Sequence, residues 1–130
     1  MKEKINITEA EWPIMEVLWL RPTATAAEIV EQVTSSRQVS MRTVKTLIRR
    51  LIAKDAVAFE VDAHDSRIYH YRALVLRPEV MEGKNKSFLG QLYGNSVSEM
   101  LSHFITNSDL KKEEIEHLQA ILKQKEIENG

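Results

Sequence analysis

The stretch that decides the fold is Ser40-Met41-Arg42-Thr43-Val44-Lys45-Thr46-Leu47-Ile48-Arg49-Arg50-Leu51. Its apolar residues recur at i, i+3, i+4 and i+7 and therefore share one helical face; they are Val44, Leu47, Ile48 and Leu51. At about 100° per residue, the opposite face carries cations and a hydroxyl; these residues are Arg42, Lys45, Thr46 and Arg49. With Ser40 as the N-cap, the pattern predicts a helix over about 41–54 with one core face and one basic face.

Two capping boxes precede this helix, at Thr8-Glu9-Ala10-Glu11 and at Thr25-Ala26-Ala27-Glu28. In each box the threonine hydroxyl accepts from a free amide, while the glutamate reaches back to the threonine amide. The first box predicts a helix that ends at Arg21-Pro22, because the residue before a proline avoids the helical region. The second box predicts a short helix before Ser40.

The hydrophobic period changes from helical to alternating after residue 54. Val57, Phe59 and Val61 alternate with other residues, as do Tyr69 and Tyr71, and the polar segment 62–67 separates the two runs. This pattern is typical of a hairpin. Three helices followed by a hairpin is the order of a winged helix-turn-helix. We therefore expect a mainly α protein with a small β-hairpin, in which residues 1–76 form the winged helix.

We expect residues 77–130 to form a helical dimerisation domain. The chain turns helical beyond Pro78, an apolar seam runs over 88–105, and a last helix starts near Asp109. Gly94 and two other glycines in this region allow a bend or a close backbone approach. Two helices cannot enclose a core by themselves, and their apolar residues therefore need a partner. We expect that partner to be a second copy of the chain. These candidate dimerisation residues are Phe88, Leu92, Val97, Met100, Leu101, Phe104, Ile115, Leu118 and Leu122.

Charge is balanced overall but concentrated locally. The 130 residues carry a formal net charge of −1, whereas residues 37–54 hold 6 Lys or Arg and no Asp or Glu. A neutral protein with one basic strip resembles a nucleic-acid reader more than a general polyanion binder. The alternative is an ordinary solvated helix face.

A helix fits the major groove of duplex DNA, where base edges need directional donors and phosphates need positive charge. Arg42 and Thr43 lie in the first helical turn, the part that usually faces bases. The other candidate contacts on this helix are Ser40, Lys45, Thr46, Arg49 and Arg50. An ion pair within the protein is the alternative for Arg50. In the wing, Arg67 either reaches DNA or pairs with Asp62 or Asp65.

Several function classes find little support. The chain contains no Cys, which excludes disulfides and thiolate sites and suits a reducing cytoplasm. Four histidines without a convergent ligand set indicate no metal site. No nucleophile has a matching base, and no apolar run approaches the roughly 20 residues that span a bilayer. We therefore expect no enzyme, no cofactor and no membrane association, with duplex DNA and a second copy as partners.

Several segments, taken in order, resemble the BlaI/MecI/CopY family of bacterial repressors. They are Thr8-Glu9-Ala10-Glu11-Trp12, Val17-Leu18-Trp19, Thr43 to Leu51, Ser87-Phe88-Leu89, Tyr93 to Val97 and Glu113 to Leu118. The resemblance covers nearly the whole chain. It implies a homodimeric repressor of a resistance or stress-response operon, with an N-terminal winged helix that binds a palindromic operator and a C-terminal helical dimerisation domain.

Two departures from the family pattern distinguish its branches. The paired Cys-x-Cys tail of the copper-responsive branch is absent from this sequence. In the β-lactam-responsive branch, induction proceeds by cleavage between Asn and Phe; the corresponding pair here is His103-Phe104, which keeps the Phe but lacks the Asn. The Ser87 to Leu122 region is closer to the BlaI-like branch. The alternatives are a copper-responsive or ligand-gated repressor and a winged-helix protein-interaction module.

Overall fold

The computed structural model describes residues 5–35 and 38–130. Within them the chain forms six helices and one antiparallel hairpin. The first three helices are α1 (Trp12–Leu20), α2 (Ala26–Thr34) and α3 (Met41–Ala53). The hairpin comprises β1 (Val57–Val61) and β2 (Tyr69–Ala73), and α4 (Arg77–Tyr93), α5 (Val97–Thr106) and α6 (Lys112–Asn129) follow. The prediction of a mainly α protein with a small hairpin is confirmed.

The capping predictions for α2 and α3 are also confirmed. The Thr25 hydroxyl accepts from the Glu28 amide at 3.2 Å, and the Thr25 amide donates to the Glu28 carboxylate at 2.9 Å. Thr8 and Glu11 exchange the same two bonds at 3.2 and 2.9 Å. This box lies before the helix, however, because α1 begins at Trp12 with Glu11 as its N-cap and without a side-chain cap. Ser40 accepts from the Thr43 amide at 3.1 Å. The caps at Thr25 and Ser40 satisfy amides that have no partner inside the helix, which fixes where α2 and α3 start.

Backbone hydrogen bonds join the hairpin to the segment that precedes α2. The register of the hairpin pairs Phe59 with Tyr71 and Val61 with Tyr69. On the outer edge of β2, the Tyr71 amide donates to the Ala24 carbonyl at 2.8 Å, and the Ala24 amide donates to the Tyr71 carbonyl at 3.0 Å. The segment just before α2 thus extends the sheet by one residue. This bridge fixes the hairpin relative to the start of α2.

The chain divides into two compact units, Met1–Asn85 and Lys86–Gly130. The division lies within α4, so the first unit includes the start of that helix, which the sequence had assigned to the second domain. The core of the first unit is formed by apolar side chains from α1, α2, α3, the hairpin and Val80 of α4. The core face predicted for α3 is confirmed, since Val44, Leu47, Ile48 and Leu51 are all buried.

The second unit has no fully buried side chain among its helical residues. The continuous apolar seam expected over 88–105 is divided between α4 and α5. Gly94 and Asn95 both have positive φ, 53° and 69°, and consecutive left-handed residues cannot continue a right-handed helix. The expected start of the last helix near Asp109 was also too early, because α6 begins at Lys112.

None of the helices in the described part of the chain is long and apolar enough to cross a membrane.

Candidate nucleic-acid interface

The basic face of α3 is open to solvent. All seven candidate residues of this element are exposed; they are Ser40, Arg42, Thr43, Lys45, Thr46, Arg49 and Arg50. The core face lies on the other side and is held by the packing of the first unit. The helix is therefore anchored along one side while its cations remain reachable from solvent.

The cations of this face have no acidic partner in the part of the chain that the structure describes. Among the described residues, no carboxylate lies within salt-bridge distance of Arg42, Lys45, Arg49 or Arg50. The ion pair that was the alternative for Arg50 is thus not formed with any described residue. A phosphate approaching these side chains would not have to displace a carboxylate, and a local excess of positive charge attracts a polyanion over a Debye length of about 10 Å.

Lys54, the last cation of the basic strip, has a different role. Its ammonium lies 2.7 Å from the Glu11 carboxylate and 2.8 Å from the Asn6 carbonyl. Glu11 is 1% exposed and also accepts from the Thr8 amide. The pair therefore joins the end of α3 to the start of α1. Burial alone would raise the pKa of Glu11, but the hydrogen bonds from Lys54 and Thr8 outweigh it and lower that pKa below its ordinary value.

The hydroxyls of α3 make local hydrogen bonds. Ser40 donates to the Thr43 hydroxyl at 3.0 Å while it caps the helix. Thr46 donates to the Arg42 carbonyl at 3.0 Å, one turn earlier. Their protons are thus used within the helix, while the hydroxyl oxygens keep lone pairs for an external donor. The Thr46 side chain is held in one orientation on the basic face.

In the wing, Arg67 forms the ion pair with Asp65 that the sequence had left as an alternative. Its guanidinium makes two hydrogen bonds to the carboxylate, both 3.0 Å long. These bonds lower the pKa of Asp65 and raise that of Arg67. The Arg67 side chain nevertheless remains 88% exposed. An external anion would therefore have to share Arg67 with Asp65.

Asp62 organises the rest of the wing loop. It accepts from the amides of His64 and Asp65, both at 3.0 Å, and its other oxygen lies 2.8 Å from His70 Nε2. The bond from His70 and those amides lower the pKa of Asp62. Within the described ranges, no three His, Cys, Asp or Glu side chains gather as a metal site would require.

The candidate dimerisation residues lie on α4, α5 and α6, and all are exposed or half-buried. Phe88, Tyr93 and Phe104 form an aromatic cluster with ring centroids 5.8 to 6.2 Å apart. Leu92 and Leu122 are 60% and 59% exposed. The pair His103-Phe104 lies inside α5, and His103 Nδ1 is 2.9 Å from the Tyr93 hydroxyl.

An aromatic-lined groove lies between α3 and the hairpin, and the sequence pattern did not indicate it. Phe59, Tyr69 and Tyr71 line it, together with Lys45 and Arg49 of the basic face. Strand alternation placed Tyr69 and Tyr71 on one face of their own strand, and the observed register brings Phe59 to the same face. Nothing in that pattern, however, indicated that α3 would leave space in front of them.

Comparison with known proteins identifies relatives along nearly the full chain. The family model described as penicillinase repressor matches residues 7–124. The methicillin resistance regulatory protein MecI of Mammaliicoccus sciuri is 32% identical over 120 residues, which cover 92% of this chain and 95% of that protein. The penicillinase repressor of Bacillus licheniformis is 28% identical over 124 residues, covering 95% of this chain and 94% of the relative.

Solved structures support the fold. A solution structure of the DNA-binding domain of the repressor BlaI matches with a TM-score of 0.52 and 24% identity, covering 61% of this chain and 93% of that domain. A Staphylococcus aureus MepR mutant bound to an oligodeoxyribonucleotide matches with a TM-score of 0.53 and 20% identity, covering 95% of this chain and 80% of that one. The predicted winged helix is thereby confirmed. The named relatives also favour the BlaI-like branch over the copper-responsive alternative, and the family model, together with MecI at 32% identity, shows that the chain belongs to the penicillinase repressor family.

Proposed function

We propose that this protein is a homodimeric transcriptional repressor, not an enzyme, that binds a palindromic operator in duplex DNA in the cytoplasm. The observation that carries the proposal is the solvent-exposed basic face of α3, whose cations have no carboxylate partner among the described residues. Relatives named as regulators of methicillin resistance and as penicillinase repressors suggest that the regulated operon concerns resistance or stress.

In this proposal α3 enters the major groove with its N-terminal turn facing the bases. Arg42 binds a guanine through its O6 and N7 atoms, and Thr43 or Thr46 contacts a thymine methyl group. Lys45, Arg49 and Arg50 lie further along the helix and neutralise phosphates. The Ser40 hydroxyl oxygen lies near the DNA backbone. Arg67 makes a weaker contact with DNA, because its guanidinium is shared with Asp65.

Dimerisation in this proposal uses the second unit. Its helices expose large apolar side chains, including Leu92, Val97, Phe104 and Leu122 at 45–60%. A second copy related by a two-fold axis would cover the same surface on both chains. The two α3 helices would then read two half-sites of opposite direction, which explains why a palindromic operator is expected.

Salt dependence tests the proposed DNA contacts. If each protomer makes about three phosphate contacts, a plot of log affinity against log salt should have a slope of about −5. Lys45→Gln should flatten that slope by about 1 per lost contact and weaken binding to all sequences alike. Lys123→Gln is the matched control, since it removes the same charge from an exposed site on α6 and should leave the slope unchanged.

Selection of bound duplexes from a random library tests base reading and symmetry together. We expect a two-fold symmetric consensus for the unmodified protein, and Arg42→Gln should relax the preference at one position of each half-site. Fluorescence anisotropy over several salt concentrations then measures the affinity for that consensus. Absence of binding to any duplex, or binding that does not respond to salt, would refute the proposal.

The position of a regulatory cut also belongs to this proposal. The resemblance indicates His103-Phe104, and this bond lies in the interior of α5 (Val97–Thr106). A protease acting there would need local opening of the helix before it reached the peptide bond. Limited proteolysis followed by mass spectrometry would show whether this bond or a loop is cut first.

A further inference from the structure

The first unit contains a groove of about 700 Å³ between α3 and the hairpin. One wall is formed by α3, including Lys45, Arg49 and Ile52, and the other by Phe59 and Tyr69 of the hairpin. A volume of this size lies in the range of small-molecule sites, about 300–1,000 Å³. The groove is partly open to solvent, so a ligand could enter without unfolding of the winged helix.

The hairpin wall offers stacked aromatic rings to the groove. Phe59 and Tyr69 lie with ring centroids 4.8 Å apart and an interplanar angle of 15°. Phe59 is 42% exposed and Tyr69 is 39% exposed. Aromatic rings left this accessible are suited to receive another ring in an offset or edge-on arrangement, which adds about 0.5–1.5 kcal/mol to the burial of its area.

The charge of the groove has one sign. Its described lining includes Lys45, Arg49 and Arg67, and neither Asp nor Glu, although Asp65 binds Arg67 from outside that lining. Lys45 and Arg49 have no carboxylate partner among the described residues. Arg49 and Tyr71 both line the groove; burial and the neighbouring Tyr69 raise the pKa of Tyr71, and the positive charge of Arg49 opposes that rise. The lining therefore combines an apolar ring surface with cations across from it.

We propose that this groove binds a small planar aromatic carboxylate, whose ring contacts Phe59 and Tyr69 and whose carboxylate meets Lys45 and Arg49. A neutral aromatic molecule would leave the cations without a partner, and a small inorganic anion would leave the rings uncovered. Lys45 and Arg49 also belong to the face assigned to DNA. The ligand and the operator therefore compete for the same two charges, and the ligand lowers the affinity for DNA. This second step rests on the proposed function, whereas ligand binding itself does not.

Isothermal titration of the full chain with naphthalene-1-carboxylate tests the site without DNA. We expect one binding site per chain, and at least tenfold weaker binding of the neutral naphthalene-1-carboxamide. Phe59→Leu keeps apolar packing in the hairpin but removes the ring, and Arg49→Gln removes the charge; each should weaken binding at least fivefold. Val61→Ala is the control, since Val61 is an exposed hairpin residue outside the groove lining. Equal affinity in all four proteins, or no binding, would overturn the site.

Competition is measured by anisotropy with a labelled duplex selected by the protein. The apparent dissociation constant for DNA should rise in proportion to 1 + [L]/KL as naphthalene-1-carboxylate is added. The carboxamide, and sodium acetate at the same concentration, should have no such effect. Phe59→Leu should bind DNA as the unmodified protein does but respond at least fivefold less to the carboxylate. An unchanged DNA affinity at saturating carboxylate would overturn competition. Failure to bind any duplex would refute the proposed function, and the calorimetry would still decide the site.

Discussion

At the scale of single residues, the pair Glu11–Lys54 shows that the cations of the basic strip have different roles. Lys54 is 30% exposed and holds a carboxylate that is almost fully buried. The other cations of α3 remain unpaired among the described residues. A buried carboxylate that loses its cation retains the cost of desolvation without compensation. Lys54 is therefore a structural residue that sets the position of α3 against α1.

Lys54→Met should lower the free energy of unfolding by about 2 kcal/mol at pH 7, because it leaves Glu11 buried and charged. Urea unfolding followed by circular dichroism measures this loss. In the double variant Glu11→Gln, Lys54→Met, the neutral amide oxygen still accepts from Thr8, so most of the stability should return. A double variant no more stable than Lys54→Met would contradict this account of the pair.

The same pair predicts a pH dependence. Because the pKa of Glu11 is lowered in the folded protein, its ionised form contributes stability that is fully present above the ordinary carboxyl pKa. That contribution is lost as the pH falls through the lowered value. The stability difference between the unmodified protein and Lys54→Met should therefore shrink as the pH falls toward and below the ordinary carboxyl pKa, because a protonated Glu11 no longer needs the cation. A constant difference from pH 7 to pH 3 would exclude Glu11 as its source.

At the scale of elements, backbone conformation at two residues decides how the second unit is divided. Gly94 and Asn95 are left-handed, and α4 ends just before them. A Cβ at position 94 would meet no atom within 4 Å, so a side chain there is opposed by backbone strain alone. The apolar periodicity continues through this point, which is why it predicted one seam where the chain forms two helices.

Gly94→Ala should destabilise the protein by about 1 kcal/mol, because Ala is disfavoured at positive φ. Gly90→Ala is the matched control within α4. Its new Cβ would lie 3.2 Å from the Asn95 side chain, which can move slightly, and Ala favours a helix over Gly by about 1 kcal/mol. Thermal unfolding by circular dichroism should thus give a lower midpoint for Gly94→Ala only. The same decrease in both variants would argue against the left-handed break.

At the scale of the whole molecule, the two units differ in how their apolar residues are covered. The first unit encloses a core, whereas the helices of the second leave every side chain at least partly exposed. An apolar surface of this kind is unfavourable in water at about 25 cal/mol per Å². A second copy of the chain would remove much of it from solvent, so assembly and operator symmetry are expected to depend on the same helices.

Leu122→Glu should shift the protein from dimer to monomer. It replaces an apolar side chain of α6 that is 59% exposed with a charged one, and burying that charge in the interface would be unfavourable. Gln124→Glu is the control, as it adds the same charge about 200° around the helix. Sedimentation velocity measures the assembly, and circular dichroism checks that both variants remain helical. A dimeric Leu122→Glu protein would remove this residue from the proposed interface.

The sequence alone determined the features that depend on residues near one another in the chain. Apolar spacing located α1, α2 and α3, the capping residues Thr25 and Ser40 marked where α2 and α3 start, and alternation located the hairpin. These signals involve neighbours within about one helical turn. They also placed the cations of α3 opposite its core face. The exposure of that face is the part of the candidate site that could be predicted without coordinates.

Only the tertiary structure decided which charged groups are partners. Lys54 meets Glu11 from 43 residues away, and His70 binds Asp62 across the hairpin. Arg67 binds Asp65 and not Asp62, although both carboxylates are near it in sequence. The space between α3 and the aromatic face of the hairpin likewise depends on how two elements pack. Ion pairs and grooves are set by distances in space, and a sequence pattern fixes such distances only within a single element.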